Sequence, residues 1–410
     1  MNGVDFLSKL LDGAGVEWAT LGDSNFIEIA NSGRKPVKAS LRKLGKVPYY
    51  GANNVQDYVE GYTHEGEYVL IAEDGSASLE NYSIQHVSGK FWANNHVHVI
   101  RGTDSLNTRF LYHYLQIVNF IPFLSGGGRA KLTKGRMVEI QIPIPCPDNP
   151  EKSLAIQSEI VRILDTFTEL TTELTTELTT REKQYNHYRD QLLTFEEGEV
   201  EWKPLGEVIY SLKTGLNPRQ NFQLNTQDAQ GYYVTVREIQ NGKIAFHKNT
   251  DRVNEKALKL INGRSNLEEG DILFSGTGTV GRTAVIEEKP VNWNIKEGVY
   301  VIKPIQKQIL PIYLSHLLNS SQVVRVYSKK IVGNPVVSLP MSELRRVLIP
   351  VPPLSEQAYI VTILDKFETL TNSLTKGLPR EIELRQKQYA YYRDLLLRFP
   401  KPEAELAMEA

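Results

Sequence analysis

The sequence predicts an α+β protein: two globular domains of mixed helix and strand, separated by two long antiparallel coiled-coil helices in an internal pseudo-two-fold, circular repeat. Three observations predict it. First, residues 142–195 and 349–399 say nearly the same thing. Ile142-Pro143-Ile144-Pro145 matches Ile349-Pro350-Val351-Pro352. Ile163-Leu164-Asp165 with Phe167 matches Ile363-Leu364-Asp365 with Phe367, and Gln184-Tyr185 with Tyr188-Arg189-Asp190 matches Gln388-Tyr389 with Tyr392-Arg393-Asp394. A period of about 200 residues is too long for a solenoid and implies two whole units. Second, Ile156, Ile160, Ile163, Phe167, Leu170 and Leu174 alternate steps of four and three, the seam of a coiled coil. Third, Val16-Glu17-Trp18 with Leu21-Gly22 returns as Val200-Glu201-Trp202 with Leu205-Gly206. The segment that succeeds the first long helix therefore also stands at the amino terminus, as in a circle cut open.

In chain order, residues 1–20 are expected to pack beside the end of the carboxyl-terminal helix. Residues 21–148 form the first globular domain, with strands at Tyr68–Ile71 and Val97–Ile100 and a helix over Arg109–Leu115. Residues 149–205 form the central helix. Its seam is interrupted by the tandem Thr171-Thr172-Glu173-Leu174 and Thr175-Thr176-Glu177-Leu178, a stutter in which Leu174 and Leu178 stand four apart. Residues 206–352 repeat the globular order, with strands at Ile272–Phe274 and Val299–Ile302 and a helix over Tyr313–Leu318. Residues 353–410 carry the second helix, with its seam at Ile360, Ile363, Phe367, Leu370 and Leu374; Gly377 and Pro379 force a break before Ile382.

Composition is that of an ordinary globular chain, 41% apolar and 23% charged. No apolar run approaches a membrane span, the start has no signal-peptide plan, and a cytoplasmic protein is the simplest reading. The single cysteine, Cys146, excludes an internal disulfide and a multi-thiolate metal site. Net charge is −1, but it is unevenly spread. Residues 22–140 carry 13 basic and 11 acidic side chains, residues 207–347 carry 19 and 12, and residues 151–206 carry 6 and 12. Globular domains that lean basic beside an acidic helix leave nucleic acid open as a ligand.

Charge and residue type mark the candidate contact residues. Arg34, Lys35, Lys38, Arg42, Lys43 and Lys46 place six cations in thirteen residues without an acid. They read as a phosphate-contacting arm or as a solvated loop. Tyr50, Asn53 and Asn54 come next, and amides are side chains that read base edges. Gly126-Gly127-Gly128-Arg129-Ala130-Lys131, with Lys134, is a glycine-loosened basic loop; Lys329, Lys330 and Asn334 stand at the matching place in the second domain. Lys213, Thr214, Asn217 and Arg219 form a similar segment, and Arg237 joins them on charge. Gly276-Thr277-Gly278-Thr279-Val280-Gly281 fits a nucleotide-binding pattern, but strand-like residues succeed it where a helix is required, so a hairpin loop is the better reading. Thr277 and Arg282 remain candidates for a phosphate. No histidine pair has metal-ligand spacing, and no nucleophile or phosphate-loop motif appears. The tyrosines at 185, 188, 389, 391 and 392 read as helix packing rather than stacking platforms.

Taken together, the duplicated Ile-Pro-Ile/Val-Pro, the Ile-Leu-Asp-x-Phe helix starts and the Gln-Tyr-x-x-Tyr-Arg-Asp helix ends resemble the specificity subunit of type I restriction-modification enzymes. The Thr-Thr-Glu-Leu tandem and Pro145-Cys146-Pro147-Asp148-Asn149-Pro150 resemble its type IC branch. The resemblance implies that each globular domain is a target recognition domain reading one half of a split, asymmetric double-stranded DNA sequence. The helices act as spacer and as docking surface for two methyltransferase subunits, joined for restriction by two motor-nuclease subunits. This chain then has no active site, metal or cofactor; S-adenosylmethionine, ATP and Mg belong to the partners. Thr171, Leu174, Thr175 and Leu178 mark the spacer. A methylation-only complex and a coiled-coil scaffold joining two domains that bind ligands other than DNA are the alternatives.

Overall fold

The structure, a computed structural model, describes residues 4–126, 130–196, 198–372 and 377–401. The chain divides into two compact units, Met1–Glu173 with Glu383–Ala410, and Leu174–Ile382. Both boundaries fall inside long helices, so the helices are shared out between the units and do not stand as bodies of their own.

In the first unit, a four-stranded sheet has the order Ile27–Ile29, Val97–Gly102, Tyr68–Ala72, Ile84–Val87. Tyr68–Ala72 is buried along its whole length, as a strand covered on both faces must be. A second sheet has the order Val55–Val59, Leu44–Tyr50, Lys90–Ala93, His64–Glu65, with Leu44–Tyr50 and Lys90–Ala93 parallel. The helix Thr108–Leu115 is capped by Asn107, whose side chain accepts from the amides of Arg109 and Phe110. It buries Phe110, Leu111, Tyr114 and Leu115 in a core shared with Ile156, Ile160 and Leu164 of one long helix and Leu396, Leu397 and Phe399 of the other.

The second unit repeats this topology. Its main sheet runs Ile209–Thr214, Val299–Pro304, Ile272–Ser275, Thr283–Val285, the same succession of first, last and two middle strands. A smaller sheet again joins a parallel pair, Gly231–Val234 with Trp293–Ile295. The helix Pro311–Leu318 packs in a core with Leu193, Ile360 and Leu364.

The repeated proline motifs and the repeated Val-Glu-Trp motifs turn out to be partners. Val16–Thr20 pairs antiparallel with Gln141–Pro145, setting Trp18 opposite Pro143. Glu201–Pro204 pairs with Leu348–Val351, setting Trp202 opposite Pro350. Each ribbon has only two strands, and an edge position tolerates the amide that proline lacks. In the first unit, Leu7 and Leu11 of the starting helix join Leu396 and Phe399 in the core, and the Trp18 indole donates to the Pro400 carbonyl at 3.0 Å.

The central helix runs unbroken over Pro150–Leu192, about 65 Å at 1.5 Å per residue. The later helix is in two pieces, Leu354–Asn372 and Leu378–Leu397. Gly377 precedes the second piece at φ +81° and Pro379 sits in its first turn, where no amide partner is required. Leu374 lies outside the described residues. Seam aromatics stack within each unit: Phe167 on Tyr392 at 5.1 Å, and Tyr188 on Phe367 at 5.4 Å.

A second duplicated device joins each domain to both helices. In the first unit His113, fully buried, lies 2.8 Å from Asp165 through Nε2 and 3.3 Å from the Tyr389 hydroxyl through Nδ1. In the second, His316 meets Asp365 at 3.4 Å and the Tyr185 hydroxyl at 3.1 Å. Burial pushes the His113 pKa down to about 4, against the opposing pull of Asp165, so the ring is neutral at pH 7, donating to Asp165 and accepting from Tyr389. Beside it, the buried amide of Gln157 bonds the Asn107 amide and the Ser105 carbonyl; Gln357 does the same to Leu310 and Gln308. Among the described residues no helix is long and apolar enough to cross a membrane.

Candidate nucleic-acid interface

In the first unit the turn that begins at Glu73 and Asp74 gathers the candidate segments. Glu73 accepts from Arg34 at 2.6 Å and pairs with Lys131 at 3.0 Å. Burial raises its pKa, but the bonds from these two cations prevail and hold the carboxyl below its usual value. The Arg34 arm and the Lys131 loop, nearly a hundred residues apart in sequence, therefore share one carboxylate. Asn53 clasps the same turn, donating to the Gly75 carbonyl and accepting from the Ala77 amide, each at 2.8 Å. His98 is buried, its pKa lowered by that burial, and it lies 2.8 Å from the Leu132 carbonyl. His96, partly exposed, pairs with Asp74 at 2.7 Å.

Several candidates have partners within the fold. Arg34 is committed to Glu73 and to the carbonyls of Asn31 and Val97. Arg42 lies over the Tyr49 ring at 4.1 Å and reaches Asp57 and the Val37 carbonyl. Tyr50 packs edge-on against Phe91, and Asn54 accepts from the Val55 amide in its turn. These side chains shape the loop. Lys35, Lys38, Lys43, Lys46 and Lys134 are exposed, as is Lys131 beyond its ion pair. Arg129 lies outside the described residues.

In the second unit three candidate segments meet around Gly276 and Gly298. The Gly276 amide donates to the Gly298 carbonyl, and the Gly298 amide donates to Thr214. Thr277 bonds Ser338, and Ser338 pairs with Val332 beyond Lys329 and Lys330. The 276–281 glycines are explained by packing. A Cβ at Gly276 would stand 2.1 Å from the Tyr300 ring, and Gly281 has φ +101° with Tyr327 against it. The flanking strands Ile272–Ser275 and Thr283–Val285 pair antiparallel, so the motif is a hairpin turn.

Thr214 likewise has its partner within the fold. It is buried and donates to the Val299 carbonyl. Asn217 caps the short helix Pro218–Asn221, and Arg282 is pinned to the carbonyls of Val236 and Ile239. Arg237 is half exposed and held by Asp251 at 3.1 Å. Lys213, Arg219, Lys329 and Asn334 are exposed, and Lys330 is exposed with Glu343 at 3.7 Å.

The spacer candidates lie in the central helix, Leu174 and Leu178 half-buried and Thr175 exposed. The threonine hydroxyls turn back on the helix: Thr171 donates to the Phe167 carbonyl, Thr172 to Thr168, Thr179 to Thr175 and Thr180 to Thr176, at 2.8 to 3.0 Å. That i−4 bond satisfies the hydroxyl on an exposed helix face. The threonine pairs at 171–172 and 179–180, eight residues or two four-residue units apart, make the same bond.

The reading from sequence missed Glu73 as a hub. The signal available was a carboxylate directly after the buried run Tyr68–Ala72. It also missed that the matched residues His113, Asp165 and Tyr389 meet.

Among the described residues no group of His, Cys, Asp or Glu side chains could hold a metal ion. A family model described as the type I restriction modification DNA specificity domain matches residues 15–181 and 197–384. S.HindORF215P of Haemophilus influenzae, described as a type I restriction enzyme specificity subunit, is 47% identical, over 97% of this chain and 99% of its own. The EcoR124I/EcoR124II specificity subunit of Escherichia coli is 37% identical, over 98% and 99%. A crystal structure of the S subunit from M. genitalium shares the fold, with a TM-score of 0.56 at 15% identity, over 95% of this chain and 98% of that one. A chain from a structural study of type I assembly and conformational transition has a TM-score of 0.54 at 16% identity, over 94% and 98%. With two matched specificity domains, full-length relatives and the shared fold, the chain belongs to the specificity-subunit family of type I restriction-modification enzymes, the non-catalytic members of those complexes.

Proposed function

We propose that each unit reads one half-site of a split, asymmetric DNA duplex, and that the long helices set the distance between half-sites and dock the partners. The observation that carries this reading is a contrast within the repeat. The parts that join domain to helix are duplicated residue for residue, as His113–Asp165–Tyr389 and His316–Asp365–Tyr185, while the loops beyond the sheets differ in sequence and remain basic. Constant joints with variable loops suit one kind of partner and two different half-sites.

The DNA contacts fall to the exposed cations, Lys35, Lys38, Lys43, Lys131 and Lys134 in the first unit and Lys213, Arg219, Lys329 and Lys330 in the second, and to the exposed neutral amide of Asn334. Each neutralised phosphate releases counterions. Two methyltransferase subunits dock on the helices and supply S-adenosylmethionine chemistry; two motor-nuclease subunits use ATP and Mg. This chain contributes recognition in the cytoplasm and binds no cofactor.

Methylation mapping in a host carrying the chain and its methyltransferase tests this. The expected product is a bipartite motif. Exchanging residues 206–352 for those of a relative with another target changes one half of that motif and leaves the other. A continuous motif, or a change in both halves, contradicts the reading.

A further inference from the structure

Two of the most exposed apolar side chains in the first unit stand in its most basic loop. Leu41 ends the short 3-10 turn Ala39–Leu41 and is 70% exposed; Leu44 begins the strand Leu44–Tyr50 and is 87% exposed. Leucine at this exposure forgoes the burial that normally places it in a core. The neighbouring structure is not loose. Arg42, between them, is held by Asp57, the Val37 carbonyl and the Tyr49 ring. The strand bulges between Leu44 and Val47 against Val59, and a Cβ at Gly45 would lie 2.2 Å from the Val59 carbonyl oxygen. The backbone is thus pressed down at Gly45 and the leucines on either side of Lys43 are left outside. Leu41 also edges a cleft of about 450 Å³ floored by Tyr49, Val59 and Trp92, with Glu60 on its rim.

We propose that Leu41 and Leu44 are a wedge that enters the DNA minor groove and opens a base step, kinking the duplex at the half-site read by the first unit. This inference rests on the proposed DNA recognition and adds how that site engages the duplex. The pattern of charge selects DNA over a protein occupant. The exposed ammonium groups of Lys38, Lys43 and Lys46 flank the leucines at every turn. The centre of a protein–protein interface is depleted of lysine, whereas minor-groove wedges are apolar side chains set among Lys and Arg that take the adjoining phosphates. A kink of this kind also makes recognition depend on how easily a step deforms, at positions no side chain contacts.

The test uses the full chain in complex with its methyltransferase, on a duplex of the mapped target carrying a fluorophore at each end. The wild-type complex is expected to shorten the end-to-end distance. L41A/L44A relaxes the duplex toward straight and weakens target binding about tenfold, while binding to random duplex and its salt dependence stay within twofold of wild type. L41F/L44F, which keeps an apolar wedge, restores the bend. Both positions are exposed, and an unchanged melting temperature verifies folding. An unchanged end-to-end distance in L41A/L44A overturns the wedge while leaving DNA recognition standing. Loss of the methyltransferase from the L41A/L44A complex also overturns it and makes the patch a protein contact. Failure of the wild-type complex to bind any duplex removes the proposed DNA recognition itself.

Discussion

Glu73 separates two kinds of cation that look alike in sequence. Arg34 and Lys131 both reach it, but Arg34 is largely buried with further bonds to two carbonyls, while the Lys131 side chain is 46% exposed. Removing Arg34 leaves Glu73 with one fewer partner in a part-buried site, which costs roughly 1–3 kcal/mol. Arg34→Ala is therefore expected to lower the melting temperature of the first unit while leaving the salt dependence of DNA binding nearly unchanged. K38A/K43A is expected to do the reverse: stability within about 0.5 kcal/mol of wild type, and a salt slope reduced by about two. Thermal melts and binding titrations against salt distinguish the two. Charge alone ranked these residues together, because a one-dimensional count cannot show which cations already have an internal carboxylate.

At the scale of the element, the central helix depends on the threonine repeat behaving as ordinary helix. Threonine is a modest helix former because its branched side chain is stiff, and here its hydroxyls bond the carbonyl four residues back. Any insertion of four residues preserves that bonding and moves the remainder of the helix by about 6 Å and about 40°, nearly the twist of one base pair. Deleting Thr175–Leu178 is expected to leave both half-sites intact and to change the number of base pairs between them, as read by methylation mapping; an altered half-site or an unaltered spacer would sink this. The helices were legible in the sequence for a physical reason: a seam that packs against helix must repeat every three or four residues. The ribbon pairing of Val16–Thr20 with Gln141–Pro145 was not, since both strands are too short to declare a partner more than a hundred residues away.

For the whole molecule, the joint around His113 sets an acid limit on the first unit. Its folded pKa, about 4, lies below the ordinary histidine value of 6.5. The unfolded chain therefore takes up a proton that the folded chain refuses. The stabilisation is fully present above pH 6.5 and is lost as pH falls from there toward 4. Between pH 7 and pH 5 the loss is about 2 kcal/mol. Asp165 is held below its usual value by Arg109 and His113, which outweigh its burial, so its contribution persists until lower pH. Hydrogen exchange of the helix Thr108–Leu115 is expected to quicken at pH 5 relative to pH 7, and His113→Gln to abolish most of that difference while lowering stability at pH 7. Equal acid sensitivity in wild type and variant would exclude the histidine as its source.

The sequence by itself determined that the chain is a doubled structure, that its helices form a seam, and which family it belongs to. Those properties live in repeats and periodicities, which packing between helices imposes along the chain. It also placed the strands around Tyr68–Ala72 and Ile272–Ser275, since strands buried on both faces must be continuously apolar. Only the tertiary structure decided which candidate side chains are available to a ligand. Thr214 is buried, Arg34 and Arg282 are tied to internal acceptors, and Leu41 and Leu44 stand in solvent. Availability depends on what lies across space, and the carboxylates and carbonyls that claim a cation come from segments tens of residues away.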